Sequence, residues 1–152
     1  MSQKSTGKAG IGVVMKMGDG ADPQVFAAIA NCTNLSAGGV TLNMIEATHL
    51  DSPDFYQEFI PGLKAADEWT FTLQWDPSNP THSGTTGLRS KLEARTLVTF
   101  RIDTASIGMT RSLEADAYVS QLGNVEISPE AIMTQSCTIR PTGKVREVTN
   151  PT

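Results

Sequence analysis

Alternating apolar and polar residues predict that this chain is mainly β. The clearest strand covers residues 69–75, where large apolar side chains alternate with threonine and glutamine. Five further segments show the same period of two: residues 11–17, 40–44, 96–103, 113–122 and 132–140. Residues 25–35 are predicted to be another strand, made mostly of small apolar residues. About seven strands, several with one polar face, predict an antiparallel β-sandwich or a partly closed barrel. We expect its core to contain Trp69, Phe71, Leu73, Trp75 and Phe100.

One segment has a helical pattern. In residues 81–95, Leu88 and Leu92 are four positions apart and therefore share a helix face. A threonine at position 85 or 86 is a suitable N-cap. We expect this single helix to lie on one flank of the β-structure.

Glycine, asparagine and proline mark the predicted turns. The segment 36–39 ends in two glycines, which favour positive φ angles and predict a hairpin between the strands on either side. Further turns are predicted at residues 123–124 and 128–130. These turns separate the last two predicted strands from each other.

The connection over residues 48–63 does not look like an ordinary solvated loop. It has about 16 residues without clear periodicity, and connections of that length usually have a function. It carries four large apolar side chains among three carboxylates: Phe55, Tyr56, Phe59 and Ile60 among Asp51, Asp54 and Glu58. Burying the apolar four would contribute roughly 6–12 kcal/mol gross. Either this loop folds back on its own domain or another subunit covers it, and we favour the second interpretation.

Length and charge limit the possible classes of protein. The 152 residues predict one domain, residues 1–152, with a core of its own. The net charge of −4 argues against binding nucleic acid through a basic patch. No stretch approaches the roughly 18 apolar residues of a membrane span. Cys32 and Cys137 are expected to be small buried thiols.

The residues that could perform chemistry are sparse. His49 lies close in sequence to Asp51 and Asp54, yet no second histidine at helical spacing and no cysteine cluster completes a metal site. His82 lies in a stretch rich in glycine, serine and threonine, and we expect it to be solvated. Nucleophile and phosphate-binding motifs are also missing from the sequence. We therefore predict no catalytic residues, no metal, no cofactor and no enzymatic activity.

The long loop and the strand after it carry a family resemblance. The run DSPDFYQEFIPGLKAADEWTFTLQWDP resembles the segment that marks major tail tube proteins of long-tailed, lambda-class bacteriophages. These proteins share an acidic and aromatic loop, an alternating aromatic strand, an Asp-Pro pair and then a short helix. The resemblance extends in order over about residues 18–143.

This resemblance implies a structural role in a virion. Its members form hexameric rings that stack into a tube, through which DNA passes from the capsid to the host without specific binding. The implied partners are further copies of the chain and the tape measure, tail terminator and distal tail proteins. Such a tail is assembled in the bacterial host cytoplasm. The helix is placed outside the tube wall, and residues 1–10 and 142–152 become arms that order on neighbouring subunits.

The resemblance also suggests roles for particular residues. Bridging between subunits is assigned to Asp51, Asp54, Phe55, Tyr56, Glu58, Phe59, Ile60 and Leu63. The strand over residues 113–122 has a small apolar face and an acidic opposite face, which is typical of a wet lumen but also of any solvent-facing strand. Candidate lumen residues are Thr41, Asn43, Glu46, Glu114, Asp116 and Ser120.

Three other interpretations remain open at this point. One is the tube subunit of a contractile injection or secretion machine, which resembles the same family in fold. Another is a monomeric β-sandwich domain that binds a ligand through the long loop. The third is an enzyme with a metal at His49. Light scattering or negative-stain microscopy would separate assembling proteins from a monomer.

Overall fold

The computed structural model describes residues 7–20, 25–84 and 86–150. These residues form ten strands and one α-helix. In chain order they are β1 (Val14–Gly18), β2 (Phe26–Ala28), β3 (Cys32–Ser36), β4 (Val40–Glu46), β5 (Phe59–Ala66), β6 (Trp69–Gln74), α1 (Leu88–Ala94), β7 (Val98–Asp103), β8 (Arg111–Ser128), β9 (Ala131–Pro141) and β10 (Arg146–Thr149). The prediction of a mainly β antiparallel fold with one helix is confirmed, although the strands are more numerous than predicted.

Eight strands form one antiparallel sheet in the order β2-β1-β7-β8-β9-β6-β3, and β10 pairs with β8 in line with β9. The sheet is not closed into a barrel. One face of the sheet buries alternate side chains of the central strands, because successive residues of a strand point to opposite faces. Four of the five expected core residues, Trp69, Phe71, Leu73 and Phe100, are buried there. Trp75 is not: it follows the end of β6 and is only half-buried.

The segment 25–35 is two strands, not the single strand that was predicted. The chain turns between β2 and β3, where Asn31 adopts a φ of 60°. Residues 81 and 82 hold this turn: Thr81 Oγ1 accepts from the Ala30 N–H, and His82 Nε2 donates to the Ala30 carbonyl over 2.6 Å. His82 is therefore buried, not solvated as expected.

The helix is shorter than predicted. It covers Leu88–Ala94 and packs against β8, and its N-cap residue, Gly87, provides no side-chain cap. Residues 81–84 form turns instead, because they hold the β2–β3 break and because Gly84 has a φ of +92°. Thr86 is not the predicted cap, since its hydroxyl donates to the Pro80 carbonyl, and residue 85 lies outside the described residues.

The turn predicted at residues 123–124 is also wrong. Strand β8 continues through it to Ser128, with a shift in its register against β9. The buried Gln135 amide donates to the Gly123 carbonyl over 3.1 Å, which satisfies the backbone at this irregularity. The predicted turn at residues 128–130 does connect β8 to β9.

The structure treats the two predicted terminal arms differently. Residues 1–6 lie outside the described residues, and residues 7–10 are exposed, with Lys8 donating to the Ile107 carbonyl. In the predicted C-terminal arm, Arg146–Thr149 is strand β10 and pairs with β8 of the same chain. This part is therefore an element of the domain itself. The first predicted strand begins later than expected, at Val14, because Gly12 has a φ of +90°.

Candidate assembly surfaces

The most exposed part of the described chain is a two-stranded hairpin, residues 40–66, which we call the projecting hairpin. Its strands β4 and β5 pair with each other as a sheet separate from the eight-stranded one. Every residue of β4 is exposed, so this strand is not half-buried as the sequence predicted. The connection predicted over residues 48–63 is shorter than expected, because its last part, from Phe59, belongs to strand β5.

The projecting hairpin continues the β3–β6 pair beyond the edge of the sheet. Ser36 opposes Thr70 at the end of that pair, and Val40 opposes Ala66 at the start of the hairpin. The predicted β3–β4 turn is therefore wrong, since the chain runs on in one direction. Gly38 does not have a positive φ angle. A glycine is needed there because the backbone passes close to the backbone of residue 68, and a Cβ would lie 2.4 Å from the Glu68 carbonyl oxygen.

Polar links order the tip of the projecting hairpin, residues 47–58. The Ser52 hydroxyl donates to Glu58 Oε2 over 2.6 Å, and it accepts from the His49 N–H. Asp54 and Phe55 have φ angles of 53° and 61°, which cost of order 1–3 kcal/mol each for residues other than glycine. The tip thus has a defined, strained shape that its own apolar side chains do not explain.

The large apolar side chains of the projecting hairpin are uncovered within the chain. Phe55 is 96% exposed, Tyr56 is 75% exposed and Leu63 is 86% exposed. Strand β4 adds a further set that the sequence pattern did not identify as surface: Val40, Leu42, Met44 and Ile45. Contiguous exposed apolar surface of this kind marks a site of protein–protein contact.

The eight bridging candidates fall into two groups. Five lie on the tip, where Glu58 is half-buried and Asp51, Asp54, Phe55 and Tyr56 are exposed. The other three, Phe59, Ile60 and Leu63, lie on β5. Their carboxylates and aromatic rings are therefore concentrated at one end of the projecting hairpin.

His49 orders the tip. Its Nδ1 accepts from the Asp51 N–H over 3.2 Å, and its Nε2 lies 3.4 Å from Glu58 Oε2. Within residues 7–20, 25–84 and 86–150, no three potential ligand side chains are close enough to hold a metal ion. In the same ranges no helix is long and apolar enough to cross a membrane.

The acidic face of β8 is occupied by ion pairs. Arg101 of β7 donates through Nε and Nη2 to Glu114 Oε2 over 3.1 and 2.9 Å. Arg146 of β10 donates to Glu114 Oε1 over 3.3 Å and to Asp116 Oδ1 over 3.2 Å. We call these four residues, Arg101, Glu114, Asp116 and Arg146, the ionic ladder. Hydrogen bonds from Arg146 and then Thr99 hold the pKa of Asp116 below its ordinary value.

The candidate lumen residues do not form one surface in the monomer. Thr41, Asn43 and Glu46 lie on the exposed strand β4, whereas Glu114, Asp116 and Ser120 lie on β8 in the other sheet. The Glu114 side chain is only 13% exposed. The picture of β8 as a freely solvated acidic strand is therefore wrong, because two arginines neutralise its carboxylates.

A second exposed apolar region was missed from the sequence. The β8–β9 hairpin extends past the core, and its end carries Ile127, Ile132 and Met133, of which Ile127 is 71% exposed. The run from residue 125 to 133 contained the signal, since isoleucines on both sides of the Ser128-Pro129-Glu130 turn would face each other across a hairpin. The predicted turn at residues 123–124 obscured it.

The family profile described as "Lambda phage tail tube protein, TTP" matches residues 3–147. No curated protein sequence matches the chain significantly.

Solved structures with a similar fold come from tubes and tails. The tail of an empty GTA particle, refined with helical and C6 symmetry, is 12% identical with a TM-score of 0.65, over 92% of this chain and 98% of that one. The sheath-tube complex of the PVC extracellular contractile injection system is 13% identical with a TM-score of 0.62, over 91% and 88%. The SPP1 tail tube is 12% identical with a TM-score of 0.55, over 90% and 76%. At these identities the likeness establishes the fold.

Proposed function

The chain belongs to the lambda phage tail tube protein family, and from this we propose that it is the repeating subunit of a phage tail tube built from stacked hexameric rings. It is a structural component of a phage tail, and it acts by assembling rather than by turning over a substrate. The observation that carries the proposal is the projecting hairpin, whose apolar surface has no cover in the monomer.

The projecting hairpin is suited to hold successive rings together. Its four apolar candidates, Phe55, Tyr56, Phe59 and Ile60, would contribute roughly 6–12 kcal/mol gross on burial. The loss of translational and rotational freedom opposes this gain, because it costs about 4–15 kcal/mol per association. A stable stack therefore needs many such contacts at once, and a ring supplies one from each subunit.

The ring itself would close through strand edges. The open sheet ends in two short strands, β2 and β3, whose outer edges are free for pairing in the described chain. Pairing these edges, or those of the extended β8–β9 hairpin, with neighbouring subunits would form a continuous barrel and remove the exposed edges. The C6 symmetry of the similar GTA tail supports a hexamer. Head-to-tail contact between rings is heterologous and so gives an open polymer.

The proposed tube is a conduit for DNA during passage from capsid to host. A net charge of −4 favours a bore that does not retain phosphate. Thr41, Asn43, Glu46 and Ser120 remain lining candidates, and the ionic ladder would present Glu114 and Asp116 to the bore only as neutralised pairs. Assembly in the host cytoplasm with tape measure, tail terminator and distal tail proteins belongs to the same proposal.

A second candidate is the inner tube of a contractile injection machine. The similarity to a PVC sheath-tube complex favours it, because that tube is surrounded by a sheath. Mixing purified tubes with the candidate sheath protein would separate the two: a flexible non-contractile tail has no sheath to bind. Family membership leaves little support for a monomeric binding domain or a metal enzyme.

The experiment that tests the proposal removes apolar surface from the tip. Phe55→Ser with Phe59→Ser should leave the domain folded, since both side chains are exposed, but should abolish tubes in negative-stain micrographs. The matched control is Phe55→Leu with Phe59→Leu, which keeps apolar area and should still assemble. Normal polymerisation of the serine variant would refute the assembly role of the projecting hairpin.

A further inference from the structure

A groove lies at the base of the projecting hairpin, on the opposite end from its tip. It has a volume of about 620 Å³. Apolar side chains and three cations line it: Val40, Pro141, Val145, Lys64, Arg140 and Lys144. We call it the hairpin-base groove.

The bend between β9 and β10 creates this groove. Strand β9 ends at Pro141, and the chain turns through Gly143, whose φ of +82° favours glycine. The Thr142 N–H donates to the Asp116 carbonyl over 2.8 Å, which fixes the bend against β8. The end of β5, at Lys64, forms the other wall. The groove is therefore built by two elements that are far apart in sequence.

The charge of the groove is unusual for this acidic protein. Neither Lys64 nor Lys144 forms an ion pair with a described residue, and both side chains are exposed. Arg140 lies 3.4 Å from Glu68 in an exposed pair, which contributes little. The groove thus offers two uncompensated cations beside an apolar floor, and it fits an occupant with carboxylates next to large apolar side chains.

The tip of the projecting hairpin has that composition. Asp51 and Asp54 form no ion pair with a described residue, and Phe55 and Tyr56 beside them are exposed. The tip cannot reach the groove of its own chain, because strand β4 (Val40–Glu46) lies between the tip and the groove. At ~3.3 Å per residue this strand is about 20 Å long. The occupant must come from a second copy.

We propose that the tip of one copy docks into the hairpin-base groove of the next copy, with Asp51 and Asp54 facing Lys64 and Lys144. This proposal rests on the proposed tube function and names the surface that receives the tip. Because the tip and the groove are different surfaces, a docked pair of copies still has one free tip and one free groove. The contact can therefore be repeated from copy to copy, and between successive rings it gives an open polymer. Complementary charge sets the register, and burial of Phe55 and Tyr56 holds it.

Charge reversal tests the proposal. A groove variant carries Lys64→Glu and Lys144→Glu, and a tip variant carries Asp51→Lys and Asp54→Lys. Each places like charges together, so each should raise the critical concentration for tube assembly by about tenfold or more, measured by light scattering. The fourfold variant restores opposite charges and should assemble close to the wild-type concentration. Circular dichroism of each variant establishes that it is folded.

A matched control changes charge elsewhere. Arg89→Glu with Arg95→Glu alters net charge as much as the groove variant does, on exposed positions of the α1 region, and should leave assembly unchanged. Unaltered assembly of the groove variant would overturn the docking proposal, and so would a fourfold variant that stays as defective as its parents. Failure of the wild-type chain to form any tube would instead overturn the proposed function, so the two failures are distinguishable.

Discussion

Replacing Glu114 by glutamine tests whether β8 presents a neutralised ladder or a free acidic face. Glu114 is 13% exposed in its side chain and accepts from two arginines, Arg101 and Arg146. A hydrogen bond to a charged group is worth about 1.5–3 kcal/mol, and breaking a buried pair costs 3–5 kcal/mol. For this partly buried pair we expect a loss of about 2 kcal/mol in the free energy of unfolding. In a domain of this size that lowers Tm by about 4–8 °C.

The assay is urea unfolding of the unassembled protein, followed by tryptophan fluorescence, since Trp69 is fully buried. The control is Glu126→Gln, on the same strand, exposed and without an ion pair to a described residue. It should change stability by less than about 0.5 kcal/mol. If the two variants are equally stable, Glu114 behaves as a solvated side chain and the ladder contributes nothing. In the same assay Glu114→Lys should destabilise the fold, because the lysine would face Arg101 and Arg146.

Three other contacts can be tested by single substitutions. Gly38→Ala places a Cβ 2.4 Å from the Glu68 carbonyl oxygen, so it should destabilise the base of the projecting hairpin, seen as faster amide exchange in β4 and β5. His82→Phe removes the hydrogen-bond partner of two partly buried backbone groups, the Asp76 N–H and the Ala30 carbonyl, and should cost about 2 kcal/mol in urea unfolding. Arg146 lowers the pKa of Asp116, so the ionised carboxylate stabilises the fold above about pH 4. This stabilisation is lost as the pH falls and the carboxylate is protonated. Asp116→Asn should therefore make the free energy of unfolding less dependent on pH in the acid range.

The alternation of side chains predicted the sheet well wherever one face is buried. Apolar and polar residues alternate strictly along β6 and β7 because one side of each strand faces the core. The positions of these strands could therefore be predicted to within two residues. The pattern failed where no core imposes it. Strand β5 contains Pro61 and Gly62, is exposed on both faces, and shows no period. The pairing of β4 with β5 therefore could not be read from the chain.

Some of the candidate sites could be predicted from the sequence, and others depend on the fold. The tip was predictable, because aromatic side chains among carboxylates stand out in any segment. The hairpin-base groove was not, since Lys64 and Lys144 meet only through the sheet register and the bend at Gly143. The ionic ladder likewise depends on β10 returning to β8, a pairing that the polar C-terminal segment did not suggest.

A cryo-electron microscopy reconstruction of tubes formed by the unmodified chain measures the environment of the projecting hairpin most directly. We predict that Phe55 and Tyr56, exposed in the monomer, are buried against a subunit of the adjoining ring. Tubes in which these two side chains still face solvent, with the rings joined elsewhere, would contradict it.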